Sequence, residues 1–151
     1  MKPLLRSAFG LMSLLLFTLS PGVRAAQPIN DKPFADTKIV LQISDPNPFK
    51  QTLVLNVAGN ILKHYGQDRV DLEVVAFGPG LRLLFANNAN KARIAALASS
   101  GVRFSACSNT IRNMTAKLGY EPKLNPVAQR VSAGVVRIVD LVHDGYTLVK
   151  P

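Results

Sequence analysis

A chain of 151 residues has room for one domain and excludes a multidomain enzyme. Its 48% apolar and 18% charged residues exclude an intrinsically disordered chain, and its single cysteine excludes an intramolecular disulfide or a cysteine-cluster zinc or iron–sulfur site. With no tryptophan, it is a poor stacking surface for single-stranded nucleic acid, although 18 basic against 9 acidic residues give a formal +9.

The chain opens with Lys2 and Arg6, then runs apolar from Ala8 to Leu19. That run is short of the roughly 20 residues a spanning helix needs. Pro21 and Gly22 break it, and Val23-Arg24-Ala25 sets up a cut after Ala25. This is the three-part pattern of a secretory signal peptide over residues 1–25, and it predicts a periplasmic protein with no membrane segment after cleavage. The cut removes three bases and leaves 126 residues with 15 basic and 9 acidic side chains, a net +6. The remaining bases are scattered, which argues against nucleic acid as a partner.

Residues 26–37, with Pro28 and Pro33, read as a flexible leader to a domain over 38–151. The β-branched run Lys38–Ser44 predicts a buried strand, stopped by Asp45-Pro46-Asn47-Pro48. Phe49, Leu53, Val57, Ile61 and Tyr65 keep one helical face, which Gly66 ends. A second strand is predicted over Leu72–Phe77, a sharp turn at Gly78-Pro79-Gly80, and an alanine-rich helix over Asn87–Ala98. Val102–Ala106 alternates as a third strand; Ser108 or Asn109 caps a helix through Ile111, Met114 and Leu118 to Gly119. A short strand at Val127–Val131, a helix through Val135, Ile138, Val139 and Val142, and a last strand Tyr146–Val149 complete the chain. Strands alternating with helices predict a three-layer α/β/α sandwich around a mostly parallel sheet.

Ligands of such sheets bind beyond the carboxyl ends of the strands, where Ser44–Pro48, Gly78–Gly80 and Cys107–Thr110 fall. Cys107 stands between a strand and a helix start, where unpaired amides such as those of Asn109 and Thr110 stabilise a thiolate. Arg112 would add charge from the same first turn, and Ser108, Gly78 and the Gly80 amide would line the pocket. The competing expectation is an inert core cysteine, since cysteine is among the most buried residue types. His64 and His143 sit near helix C-termini, where the dipole accounts for them, and a Cys107/His64/His143 metal site lacks helix-borne spacing. No metal or cofactor is expected. Gly78-Pro79-Gly80 lacks the third glycine of a dinucleotide fingerprint, and Asp45 has no carboxylate partner for acid–base work.

The stretches Val74–Gly80, Gly101–Thr110 and Gly145–Pro151 together resemble the DsrE/DsrF-like family, most specifically in Gly-Val-x-Phe-x-Ala-Cys-x-Asn-Thr. The resemblance implies a flavodoxin-like fold, assembly into trimers or hexamers, and a sulfur-carrying role. In that role a cysteine at the position of Cys107 accepts sulfane sulfur from a donor as a persulfide and passes it to an acceptor partner. The chain departs from that pattern in its export signal and in Phe77, where many relatives place a histidine before the Gly-Pro turn. A non-catalytic binding or assembly module in which Cys107 is merely buried is the rival expectation, and a Cys107 disulfide between subunits is a third.

Overall fold

The computed structural model describes residues 32–151; the signal segment 1–25 and residues 26–31 of the leader lie outside them. Five strands, β1 (Thr37–Ile43), β2 (Val70–Ala76), β3 (Arg103–Cys107), β4 (Ala128–Val131) and β5 (Thr147–Val149), form one sheet in the order β4-β3-β2-β1-β5. Every neighbouring pair is parallel, and the register aligns Ile43 with Ala76, Glu73 with Arg103 and Cys107 with Val131. The α/β sandwich read from the strand–helix alternation is the architecture of the molecule.

Helices α1 (Pro48–Tyr65), α2 (Lys91–Ser99), α3 (Ser108–Leu118) and α4 (Gly134–His143) fill the connections. Their boundaries follow local chemistry. Asn47 accepts a hydrogen bond from the Phe49 amide at 2.8 Å and Pro48 occupies the first turn, where its missing N–H costs nothing. Gly119 closes α3 in the left-handed conformation at φ 77°, which a side chain disfavours.

Side-chain alternation along the strands makes the two sheet faces different. Ile39, Leu41, Ile43, Leu72, Val74, Phe104 and Ala106 point to one face and meet α1, α2, α3 and a 3-10 segment, Gly78–Leu84, in the main core. Asp71, Glu73, Val75, Arg103, Ser105 and Cys107 lie on the other, which α4 covers with Ile138 and Leu141 packed against Val40, Val75 and Tyr146.

Several boundaries differ from expectation. Thr37, assigned to the leader, opens β1. Residues 32–36 are tied down: the Lys32 ammonium donates to the Gln67 and Val70 carbonyls, and Asp36 pairs with Arg69. The sharp turn at Gly78-Pro79-Gly80 extends into the 3-10 segment because Leu81, Leu83 and Leu84 bury their side chains. The alanine-rich helix starts at Lys91, since Asn88 and Asn90 are engaged in a turn closed by the bond from the Asn90 amide to Asn88 Oδ1.

Candidate functional site

Three chain segments converge at the carboxyl edge of the sheet: the end of β1, the 3-10 segment that follows β2, and the β3–α3 junction. Gly80 brings the first two together. Its N–H donates to the Ser44 carbonyl at 3.0 Å, and a Cβ there would sit 2.6 Å from the Ile43 carbonyl oxygen. The Gly80 amide is thus engaged by the chain just past β1 and is not a free donor for the thiol.

Gly78, with φ 53°, turns its N–H toward α3 and donates to the Thr110 Oγ1 at 2.9 Å. A hydroxyl that accepts through one lone pair still has its own hydrogen to give, and Thr110 directs that donor capacity at Cys107.

Cys107 ends β3 and occupies the N-cap position of α3, so the helix begins at Ser108 with the cysteine, not Ser108 or Asn109, at the cap. Its residue is 5% exposed, a covered sulfur in a polar setting. Burial pushes the thiol pKa up. The Thr110 hydroxyl and the main-chain N–H groups of Gly134, Thr110 and Asn109 outweigh it, and the thiol lies below its ordinary 9.0. No side-chain cap bond of fixed geometry ties the sulfur to α3, so these groups act by favouring the charge of the thiolate. Neither α3 nor α4 has an acidic residue in its first turn or a side-chain cap, leaving both starts to present bare amides to the sulfur.

The remaining sequence candidates separate. Ser108 is half-buried as the first residue of α3. Arg112 is exposed and hydrogen-bonds the Asn109 side chain, while the groups that lower the thiol most are amides and a hydroxyl. His64 and His143 belong to the last turns of α1 and α4, whereas Cys107 faces the first turn of α4. Phe77 packs over Gly134, where a Cβ would approach the phenyl Cβ to 2.9 Å.

Sequence reasoning missed Gly134, whose amide reaches the sulfur from a helix 27 residues further along the chain. It also missed the ion network beneath α4. Glu73, fully buried in the central strand, accepts from Arg137 Nε at 2.8 Å and a second Arg137 nitrogen at 2.7 Å, from Arg103 Nε at 3.1 Å and from the Ser105 hydroxyl at 2.6 Å. Asp71 pairs with Arg103 and accepts from the Tyr146 hydroxyl at 2.6 Å. Burial pushes the Glu73 carboxyl up, but Arg137, Ser105 and Arg103 hold it below the ordinary carboxylate value. The signal was present: two acids at alternate positions of β2, beside an arginine and a serine at alternate positions of β3.

No protein-family model and no curated protein sequence matches the chain. Among solved structures it is similar to MTH1491, a protein of unknown function from Methanobacterium thermoautotrophicum, at 28% identity and a TM-score of 0.70. The match covers 77% of this chain and 100% of that one.

Proposed function

We propose that the protein is an exported thiol protein of the DsrE/DsrF-like type that binds or carries sulfane sulfur as a persulfide on Cys107. The observation that carries this reading is the convergence of two helix starts and the Thr110 hydroxyl on one sulfur at the carboxyl edge of a parallel sheet. A lowered thiol supplies more thiolate at a given pH than an ordinary one does, and thiolate is the form that attacks sulfur. In the reaction, Cys107 sulfur bonds to the sulfane sulfur of a persulfide or polysulfide donor while the donor's own S–S bond breaks. The donor departs as a thiolate, so no external oxidant enters. The same amides and hydroxyl favour the anionic persulfide that results.

Export rests on the amino-terminal segment described above. Self-association into a trimer or hexamer, implied by the resemblance, belongs to the same proposal. Its physical support is α4, which packs Ile138 and Leu141 inward yet leaves Val135, Val136, Val139 and Val142 between 42% and 56% exposed. These exposed valines form an apolar patch on an otherwise charged surface, the kind of patch that marks a protein–protein contact. Light scattering reads the state directly, and a monomer at working concentration removes that part.

The test of sulfur carrying is exposure of the purified protein to a polysulfide donor followed by intact-mass measurement. A gain of about 32 Da, one sulfur, that is lost on reduction and absent from Cys107→Ser is the expected result. No gain under conditions that load a control carrier overturns it. The 5% exposure of Cys107 favours a second reading, a non-catalytic binding or assembly module with an inert cysteine. Under that reading a small alkylating reagent is silent until the protein is denatured.

A further inference from the structure

Helix α4 reaches the thiol through the amide of its first residue, Gly134, so something must set where that residue lies. The helix has no side-chain cap, and Gly134 packs directly on Phe77 with no Cβ to key it in place. Its apolar anchors, Ile138 and Leu141, sit one and two turns below the start. Apolar contacts are non-directional and tolerate sliding along the sheet. Arg137 is the directional contact. It lies on the inward face one turn inside α4, and its guanidinium closes a two-pronged grip on the Glu73 carboxylate at 2.8 and 2.7 Å. Glu73 is itself fixed at the middle of the central strand by Arg103 and the Ser105 hydroxyl, and Ser105 lies two residues before Cys107 on the same sheet face.

We infer that Arg137 is a positioning residue for Cys107: by gripping Glu73 it fixes the longitudinal register of α4 on the sheet and so holds the Gly134 amide against the sulfur. This deepens the reading of Cys107 as a reactive thiol, and it assigns the buried ion network a task besides stability. The planar fork is the essential feature, because a lysine at 137 reaches one carboxylate oxygen as a point charge and leaves rotation and sliding free.

The experiment is the pH profile of Cys107 alkylation by iodoacetamide in the unmodified protein, Arg137→Lys and Arg137→Met, with circular dichroism confirming that each is folded at the assay temperature. The midpoint, rather than the rate, is the readout, since a loosened helix changes access as well as ionisation. The expected result is an upward shift toward the ordinary 9.0, larger in Arg137→Met than in Arg137→Lys. An unchanged midpoint in either folded variant overturns the inference and leaves Arg137 a stabilising residue only. Should both variants unfold, the unmodified protein decides: its Gly134 amide resonance must titrate with the thiol midpoint, and an amide that stays still through that midpoint overturns the inference. Sulfur loading is scored separately by mass. A chain that never gains sulfur but whose midpoint follows Arg137 loses the carrier function and keeps the positioning role, and the reverse pattern does the opposite.

Discussion

The two faces of the sheet are held by different physics. On one, Leu41, Leu72, Val74 and Phe104 meet α1, the 3-10 segment, α2 and α3 in a continuous apolar core. On the other, one helix is seated over Asp71, Glu73, Arg103 and Ser105, with a small apolar cluster beside them. Apolar packing accepts any side chain of about the right volume. A buried ion network accepts only its own members, because removing one strands the charge of another. Cys107 is on the second face, so the thiol is served by the part of the molecule that is selective about geometry.

Substitutions that conserve volume separate the faces most sharply. Leu72→Met on the apolar side should cost less than about 1.5 kcal/mol. Glu73→Gln, equally conservative in size, should cost about 3 kcal/mol or more, because Arg137 loses its counter-charge beneath α4. Urea unfolding followed by circular dichroism reads both, and similar midpoints would mean that the network contributes no more than ordinary packing. The pH dependence has a definite sign. Glu73 is lowered in the folded state, so its stabilisation is present above the ordinary 4.5 and is lost as pH falls through its folded value. Tyr146 is pushed up to about 12 by burial and by its bond to Asp71, so its contribution is present below the ordinary 10.0 and lost as pH rises through that interval. Glu73→Gln should flatten the acid limb and leave the alkaline limb standing.

A smaller effect tests the seam where the apolar layer meets the carboxyl edge. Gly80→Ala would place a methyl 2.6 Å from the Ile43 carbonyl oxygen and 2.7 Å from the Ser44 Cα, both backbone atoms that cannot rotate away. A loss of about 1–3 kcal/mol is expected, as for other overpacked sites. Gly59→Ala is the control: that helical position has nothing within 4 Å of an added Cβ and should gain up to about 1 kcal/mol from helix propensity. A Gly80→Ala protein as stable as the control would mean that the end of β1 yields more readily than its contacts imply.

The architecture was legible because strand and helix periods are local. Val102–Ala106 alternates visibly, and Cys107 between that strand and the cap of α3 follows from chain order alone. The partners of the sulfur were legible only in part. The amides of Asn109 and Thr110 are sequence neighbours, but Gly134 arrives through the docking of α4, and nothing near residue 134 announces it. Arg112 misled for a related reason: sequence distance places it near the thiol, while helix geometry points it outward to Asn109. The Gly80 amide misled because its acceptor, the Ser44 carbonyl, lies just past the end of β1, 36 residues earlier. The acids of β2 were visible as letters, yet their meaning depends on the register that sets Glu73 beside Arg103.

The gentlest substitution asks whether the thiol depends on the helix it caps, α3, or on α4. Thr110→Val keeps the shape of the side chain, removes the donor aimed at Cys107 and leaves the Gly78 N–H without its acceptor. A stability loss of about 1 kcal/mol is expected from that orphaned amide. The chemical effect is the more informative one. Cys107 is lowered in the folded state, so its ionisation stabilises the fold above the ordinary 9.0, and that gain fades as pH falls through the folded value. Thr110→Val should raise the alkylation midpoint and shrink the alkaline gain together, and Thr110→Ser, which keeps the hydroxyl, should restore both. If the midpoint stays put in Thr110→Val, the amides of α3 and α4 suffice to hold the thiolate, and the hydroxyl serves only the Gly78 turn.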